Sequence, residues 1–422
     1  MAVYLKDANF VDSESLELKK GNIKVNEGVD ASIEFVDAVD ETAKVIDCSN
    51  KLVSKSFAIG HHHVYSALAR GMGAPKKNPE NFYEILKYIW WTLDKSLDKE
   101  MIEASALVTA IYAAKAGSTF VIDHHASPFA VLGSLETLAK AFDRVGVSHL
   151  LCYEISDRDG ETSRLQGLQE TEEYLSSGRQ GLVGLHASFT VGDKSLKEAV
   201  ELAKRFDSGI HVHVAEDRYD QDHSLINYSK RVIERFDEAG VLDFEKSIIA
   251  HVLYLSENEK RLLRDAPAWV VGNMESNLNN SVGIFRADGL GDKVMLGTDG
   301  MHSDMLRSSQ MAFFAGQMAE KPGFDTIYKR LRNSHRYLKE NNFKGDGDNN
   351  LVIFDYDSPT EINADNYLGH MIFGLDSRHV ETVISDGKVI VENRKITTVD
   401  EQEVYAFAKD AGKRLWKKMQ ER

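Results

Sequence analysis

Between residues 57 and 299 the chain carries eight short apolar runs, separated by stretches long enough for one helix and its loops. The first ends at His61-His63. The others are Thr119–His124, His149–Glu154, Gly181–His186, Gly209–His213, Ser247–His251, Ala268–Asn273 and Lys293–Asp299. Short apolar runs without alternation read as strands covered on both faces, the pattern of a parallel sheet wrapped in helices. Amphipathic stretches such as Leu196–Phe206 and Asn227–Ala239 predict the intervening helices. Eight βα units over roughly 250 residues predict an α/β fold, a (β/α)8 TIM barrel.

The flanks have a different texture. Before residue 57, Ser32–Val36 and Ala43–Asp47 alternate as strands, with turns at Lys19–Asn22 and Asn26–Gly28. After about residue 345, Leu351–Phe354 reads as a strand, and Glu381–Val391 reads as a hairpin around Asp386-Gly387. The expected organisation is therefore a composite β-sandwich domain, 1–56 plus 345–422, beside a catalytic barrel, 57–344. The tail from Val404 to Arg422 reads as a basic amphipathic helix packed by one face.

A net charge of -15 argues against a nucleic-acid partner, which needs clustered Lys and Arg. No apolar stretch is long enough to span a bilayer, and no basic-then-apolar leader opens the chain. Two cysteines, Cys48 and Cys152, leave little role for disulfides and fit a reducing cytoplasm.

The polar residues fall where the strands end. Barrel active sites lie at the C-terminal ends of the strands, so such residues converge on one mouth. Within a strand alternate side chains share a face, which pairs His61 with His63 and turns His62 away. His213 ends the fifth strand, His251 the sixth and Asp299 the eighth. Several imidazoles with one carboxylate form a ligand set for zinc or ferrous iron. Glu216, three residues past His213, has two readings. It is either a general acid/base beside a metal-activated water or a helix N-terminal acid favoured by the dipole. Trp90 and Trp91 either stack on a planar substrate or pack a helix into the protein, and the second reading is the more common one.

His61-x-His63, His213-x-Ala215-Glu216, Ala250-His251 and Gly297-Thr298-Asp299-Gly300 together resemble the amidohydrolase superfamily. His186-Ala187-Ser188-Phe189-Thr190 and Ser276-Asn277-Leu278 narrow the resemblance to its cytosine/guanine deaminase and chlorohydrolase branch. The opening His61–Met72 and the segment Cys152–Gly160 are most similar to the SsnA-type aminohydrolases. The resemblance implies one divalent metal, Zn2+ before Fe2+, held by His61, His63, His213 and Asp299. It implies catalytic roles for Glu216, His251 and Asp299, and substrate contacts from His186, His125 and Asn277. The fourth strand offers no lysine to bridge a second metal. Ser56–Gly60 stands where the branch has Pro-Gly, and Ser188 where it has Pro.

The implied activity is hydrolysis of a C–N bond by metal-hydroxide attack, foremost deamination of a purine, pyrimidine or pterin. The alternatives are ring opening of a cyclic amide or ureide, removal of a substituted amine and, outside catalysis, a metabolite-binding protein. A small heterocyclic substrate, a homo-oligomer of two or more chains, and a cytoplasmic location without membrane attachment complete the expectation.

Overall fold

The structure is a computed structural model that describes residues 2–422. Eight parallel strands form the barrel: Phe57–His62, Ser118–His125, Ser148–Ile155, Val183–Ala187, Ile210–Val214, Ile248–His251, Trp269–Gly272 and Val294–Leu296. They are ordered as in the chain, and the ring closes where the Thr298 and Asp299 amides donate to the His61 carbonyl at 3.0 and 3.1 Å. Every expected run supplies a strand, with boundaries shifted by one to three residues.

The barrel interior is filled from below. Ala58, Phe120, Ile122, Leu150, Cys152, Leu182, Ile248, Trp269, Val271 and Met295 form one apolar cluster with Tyr337 and Leu338. The last two belong to the helix Phe324–Glu340, which plugs the lower end, and Tyr337 lies edge-on against Trp269 at 5.6 Å. Substrate can therefore enter only from the C-terminal mouth.

The expected sandwich is realised as one continuous nine-stranded sheet. Its long strand Val3–Val11 forks the pairing, since residues 3–6 lie beside Lys44–Asp47 and residues 9–11 beside Leu52–Lys55. Leu351–Phe354 pairs antiparallel to Leu52–Lys55, which joins the two ends of the chain. Val3, Leu5, Ile23, Val25, Val53, Leu351, Ile353 and Ile384 form a separate core there. The hairpin turns at Asp386-Gly387, both with positive φ (49° and 77°), the two-residue turn that matches strand twist.

One helical expectation changes and one is met. The stretch expected as one helix, Asn227–Ala239, contains a break between Arg218–Tyr228 and Val232–Glu238. Ser229 adopts a left-handed φ of 56° there and ends the first helix. The tail forms the helix Glu401–Glu421, which buries Val404, Ala408, Ala411 and Leu415 on the helix Lys99–Lys115. The Trp416 indole N–H donates to the Leu68 carbonyl at 2.8 Å, so this helix is a packed structural element.

Candidate active site

Two β-bulges aim the histidines. Strand one carries one extra residue between Ile59 and His62, and strand four carries one at His186. A bulge frees backbone groups from the ladder and re-aims its neighbours. The His186 carbonyl is thereby available to the His213 Nδ1–H at 2.8 Å, while the His124 carbonyl takes the His63 Nδ1–H at 2.7 Å. A carbonyl only accepts, so both rings carry their proton on Nδ1 and turn a bare Nε2 inward. Gly60 is needed below them, because a methyl at its Cα would lie 2.7 Å from the Leu296 carbonyl.

Four predicted ligands meet at one point. His63 Nε2 is 3.1 Å from His213 Nε2 and 3.1 Å from Asp299 Oδ1, and His61 Nε2 is 3.4 Å from the same oxygen. His61 Nε2 is buried and has no hydrogen-bond partner. Bare nitrogens and a carboxylate this close repel unless a cation sits among them. Tetrahedral zinc with bonds near 2.0–2.1 Å separates its ligand atoms by about 3.3 Å, so the donor set fits one such ion. His251 stands at the edge, with Nε2 3.9 Å from Asp299 Oδ2 and 3.5 Å from Glu216 Oε2. A second acidic group, His124 with Glu154 and His213, shares His213 with the first. The one inward nitrogen of His213 serves a single ion, which leaves room for one metal.

Electrostatics separate the two carboxyls. Burial, reinforced by the negative charge of Asp299, pushes Glu216 well above the usual carboxyl range. Burial also works against ionised Asp299, but the imidazoles of His61 and His63 hold it well below that range. One acid is thus poised to carry a proton and the other to stay charged. Ser276 donates to Asp299 Oδ2 at 2.5 Å, and Asn280 reaches Glu216 Oε1 at 3.5 Å.

The backbone is strained around these residues. Ala215, His251, Val252 and Asp299 all have left-handed φ values, 47°, 73°, 49° and 52°. Such conformations cost non-glycine residues about 1–3 kcal/mol each and persist only where the surroundings enforce them. Asp220 enforces the first, accepting from the Ala215 amide at 2.8 Å and the Phe189 amide at 3.1 Å. Replacing Asp220 by Ala leaves both buried donors unpaired, an expected loss of about 1–3 kcal/mol in stability. Turnover should fall further than metal content, because Glu216 follows the released turn. Denaturant titration, metal analysis and steady-state kinetics on one preparation check this.

The mouth opens into a narrow cleft. It is lined by His63, His213, Glu216, His251 and Asp299 together with Tyr65, Phe82, Leu86, Trp90 and Trp91. Both tryptophans line the cleft and both also pack into the protein, Trp90 against the main apolar core and Trp91 buried. The segment that carries them contains a π-helical turn, Leu86–Trp90. His186 also lines the cleft, with Nδ1 donating to Thr190 Oγ1 at 2.6 Å. His125 and Asn277 do not line it. His125 is buried against Ser127 at 3.0 Å, and Asn277 lies behind His251, its Oδ1 2.9 Å from His251 Nδ1.

Sequence reasoning passed over Asp94 and Glu154, which line the same cleft and share Arg158 as partner. Glu154 lay at the end of a predicted strand, a signal that was there to use. Asp94 had none, because a helical segment carries it over the mouth.

A model of the Amidohydrolase family matches residues 60–337. The 5'-deoxyadenosine deaminase of Methanosphaera stadtmanae is 26% identical over 98% of this chain and 99% of its own length. The 5-methylthioadenosine/S-adenosylhomocysteine deaminase of Thermoanaerobacter pseudethanolicus is 26% identical over 88% of this chain and 89% of its own. Among solved structures, a zinc-bound adenosine deaminase from Xanthomonas campestris superposes with a TM-score of 0.83 at 18% identity, covering 98% of both chains. Guanine deaminase from E. coli superposes with a TM-score of 0.77 at 16% identity, covering 93% of this chain and 99% of its own. These structures share the whole architecture, barrel and flanking sheet together. The family match spans all eight strand ends that build the site, and the chain belongs to the amidohydrolase family.

Proposed function

We propose that this protein is a zinc-dependent aminohydrolase that exchanges the amino group of an N-heterocycle for oxygen. The observation that carries the reading is Glu216, a carboxyl held towards its protonated form, 3.5 Å from His251 at the lip of the ligand cluster. His61, His63, His213 and Asp299 would hold the ion. A divalent cation there supplies Lewis acidity and brings the pKa of a coordinated water towards neutrality.

The chain's own residues do the rest. Glu216, protonated at the outset, gives its proton to the ring nitrogen next to the carbon under attack and then takes one from the water that adds. His251, whose Nδ1–H is held by Asn277 Oδ1, turns a bare Nε2 towards Glu216, where it accepts a hydrogen bond from the adding water and orients it. The proton Glu216 took from water then goes to the amino group, which leaves as ammonia, and Glu216 recovers the proton of the added hydroxyl as the carbon keeps its oxygen as a carbonyl. Trp90 and Trp91 form a flat apolar wall suited to a planar ring. His186 presents its free Nε2 to the substrate.

The relatives named above act on adenosine-type nucleosides, which favours aminopurines among the heterocycles. The test is a mass-spectrometric screen of zinc-loaded protein against aminopurines, their nucleosides, pterins, pyrimidines and cyclic ureides. A product with NH replaced by O establishes the deaminase and names its substrate. A product that has gained a whole water establishes ring opening instead.

The rest of the reading follows from the same chain. The unit 1–56 plus 345–422 would serve as a structural domain and 57–344 as the catalytic one. Two buried free thiols suit a reducing cytoplasm, and no helix among the described residues is long and apolar enough to cross a membrane. Exposed Phe314, Met318 and Phe373 would be covered in a homo-oligomer. The excess of acidic residues disfavours nucleic acid.

A further inference from the structure

We propose that His211 and Cys152 form a positioning chain that fixes the ring of His61 from beneath. It rests on the assignment of His61 as a ligand, and it concerns two residues with no place in the reaction above.

His61 Nδ1 lies 2.8 Å from His211 Nε2, and His211 Nδ1 lies 3.6 Å from Cys152 Sγ. Cys152 Sγ in turn reaches the Asp123 carbonyl at 3.4 Å. All three side chains are buried in the centre of the barrel. Counting protons leaves one arrangement. A ligand nitrogen must be bare, so His61 keeps its proton on Nδ1 and donates it to His211 Nε2. That nitrogen is then an acceptor, which puts the proton of His211 on Nδ1, pointing at the sulfur. The thiol hydrogen is left for the only remaining acceptor, the Asp123 carbonyl. Every donor meets one acceptor, and each proton points away from the ligand cluster.

This support differs from that of the other two imidazoles. His63 and His213 hand their Nδ1–H to backbone carbonyls. His61 hands its own to a side chain, so a single substitution can remove the acceptor. The strand pleat supplies the geometry: His211 and His213 share a face of Ile210–Val214, one at the level of the ligands and the other one step below. His124 holds that strand in place, its Nε2–H shared between the Leu185 and His211 carbonyls at 3.1 and 3.2 Å.

Groups that orient a ligand from behind are worth about 10–100-fold in metal affinity. The experiment is zinc competition against a chromophoric chelator, with cobalt-substituted protein as a spectroscopic reading of ligand geometry. His211→Leu should weaken zinc by that factor and shift the cobalt absorption. His211→Gln, which keeps an acceptor oxygen, should recover part of the affinity. Cys152→Ala, which leaves the His211 donor without a partner, should weaken zinc by a smaller factor, while Cys152→Ser should stay near the parent. Metal-free unfolding of each variant separates a loss of fold from a loss of orientation. Zinc affinity within twofold of the parent in His211→Leu, or in Cys152→Ala should His211→Leu not fold, overturns the proposal. These readings need no turnover, so they stand whether or not the heterocycle deaminase reading does.

Discussion

Glu216→Gln lowers turnover by roughly 10²–10⁴-fold while zinc stays bound at the parental stoichiometry. The size of the effect comes from proton traffic. Glutamine preserves the shape of the side chain and its approach to Asn280, but it can neither take a proton from water nor give one to nitrogen. Glu216 is not within the closely spaced groups His61-His63-His213 or His61-His251-Asp299, so its loss does not empty the site. Substrate binding should change much less than kcat, the sign of an interaction made in the transition state. A variant that turns over at the parental rate would remove Glu216 from the mechanism, and one that loses its zinc would reassign it as a ligand.

Removing the metal produces the second large effect. Stripped protein should be inactive, recover with one equivalent of zinc, and unfold more easily. At a free zinc concentration about a thousand times Kd, binding adds about 4 kcal/mol to stability. The stripped form should also acquire an additional pH dependence. Burial alone would push His63 down, but the Asp299 carboxylate overrides it and lifts His63 from 6.5 to about 9. A histidine raised on folding contributes stability that is complete below pH 6.5 and is lost as pH rises through 9. Thermal melts of stripped protein should therefore fall more steeply across that window than those of loaded protein, in which the ion has taken the proton's place. Identical pH profiles for the two forms would show that His63 and Asp299 are not where the metal goes.

The ligand cluster was legible in the sequence because a barrel converts distance along the chain into adjacency at its mouth. His61, His213, His251 and Asp299 each close an apolar run, and a run of that kind has one end that faces solvent. The bulges at Ile59–His62 and His186 were not legible, since an extra residue in a ladder leaves no mark on apolar patterning. The same holds for Trp90 and Trp91. Helical periodicity gives the same pattern for an α-turn and for the π-turn at Leu86–Trp90, and it does not say that residues packed into the protein also line the cleft. His125 and Asn277 lie off the cleft lining, and proximity in sequence to a strand end does not say which side of a neighbouring side chain a residue occupies.

The pairing of Leu351–Phe354 with Leu52–Lys55 sets a timetable for the nascent chain. Ser54 has Val352 as its ladder partner, and the first barrel strand begins at Phe57. A ribosome adding about 5–20 residues per second takes roughly 15–60 s to deliver the second half of that pair. For that interval Leu52–Lys55 has an unpaired edge, with almost the whole barrel still to be synthesised between it and its partner.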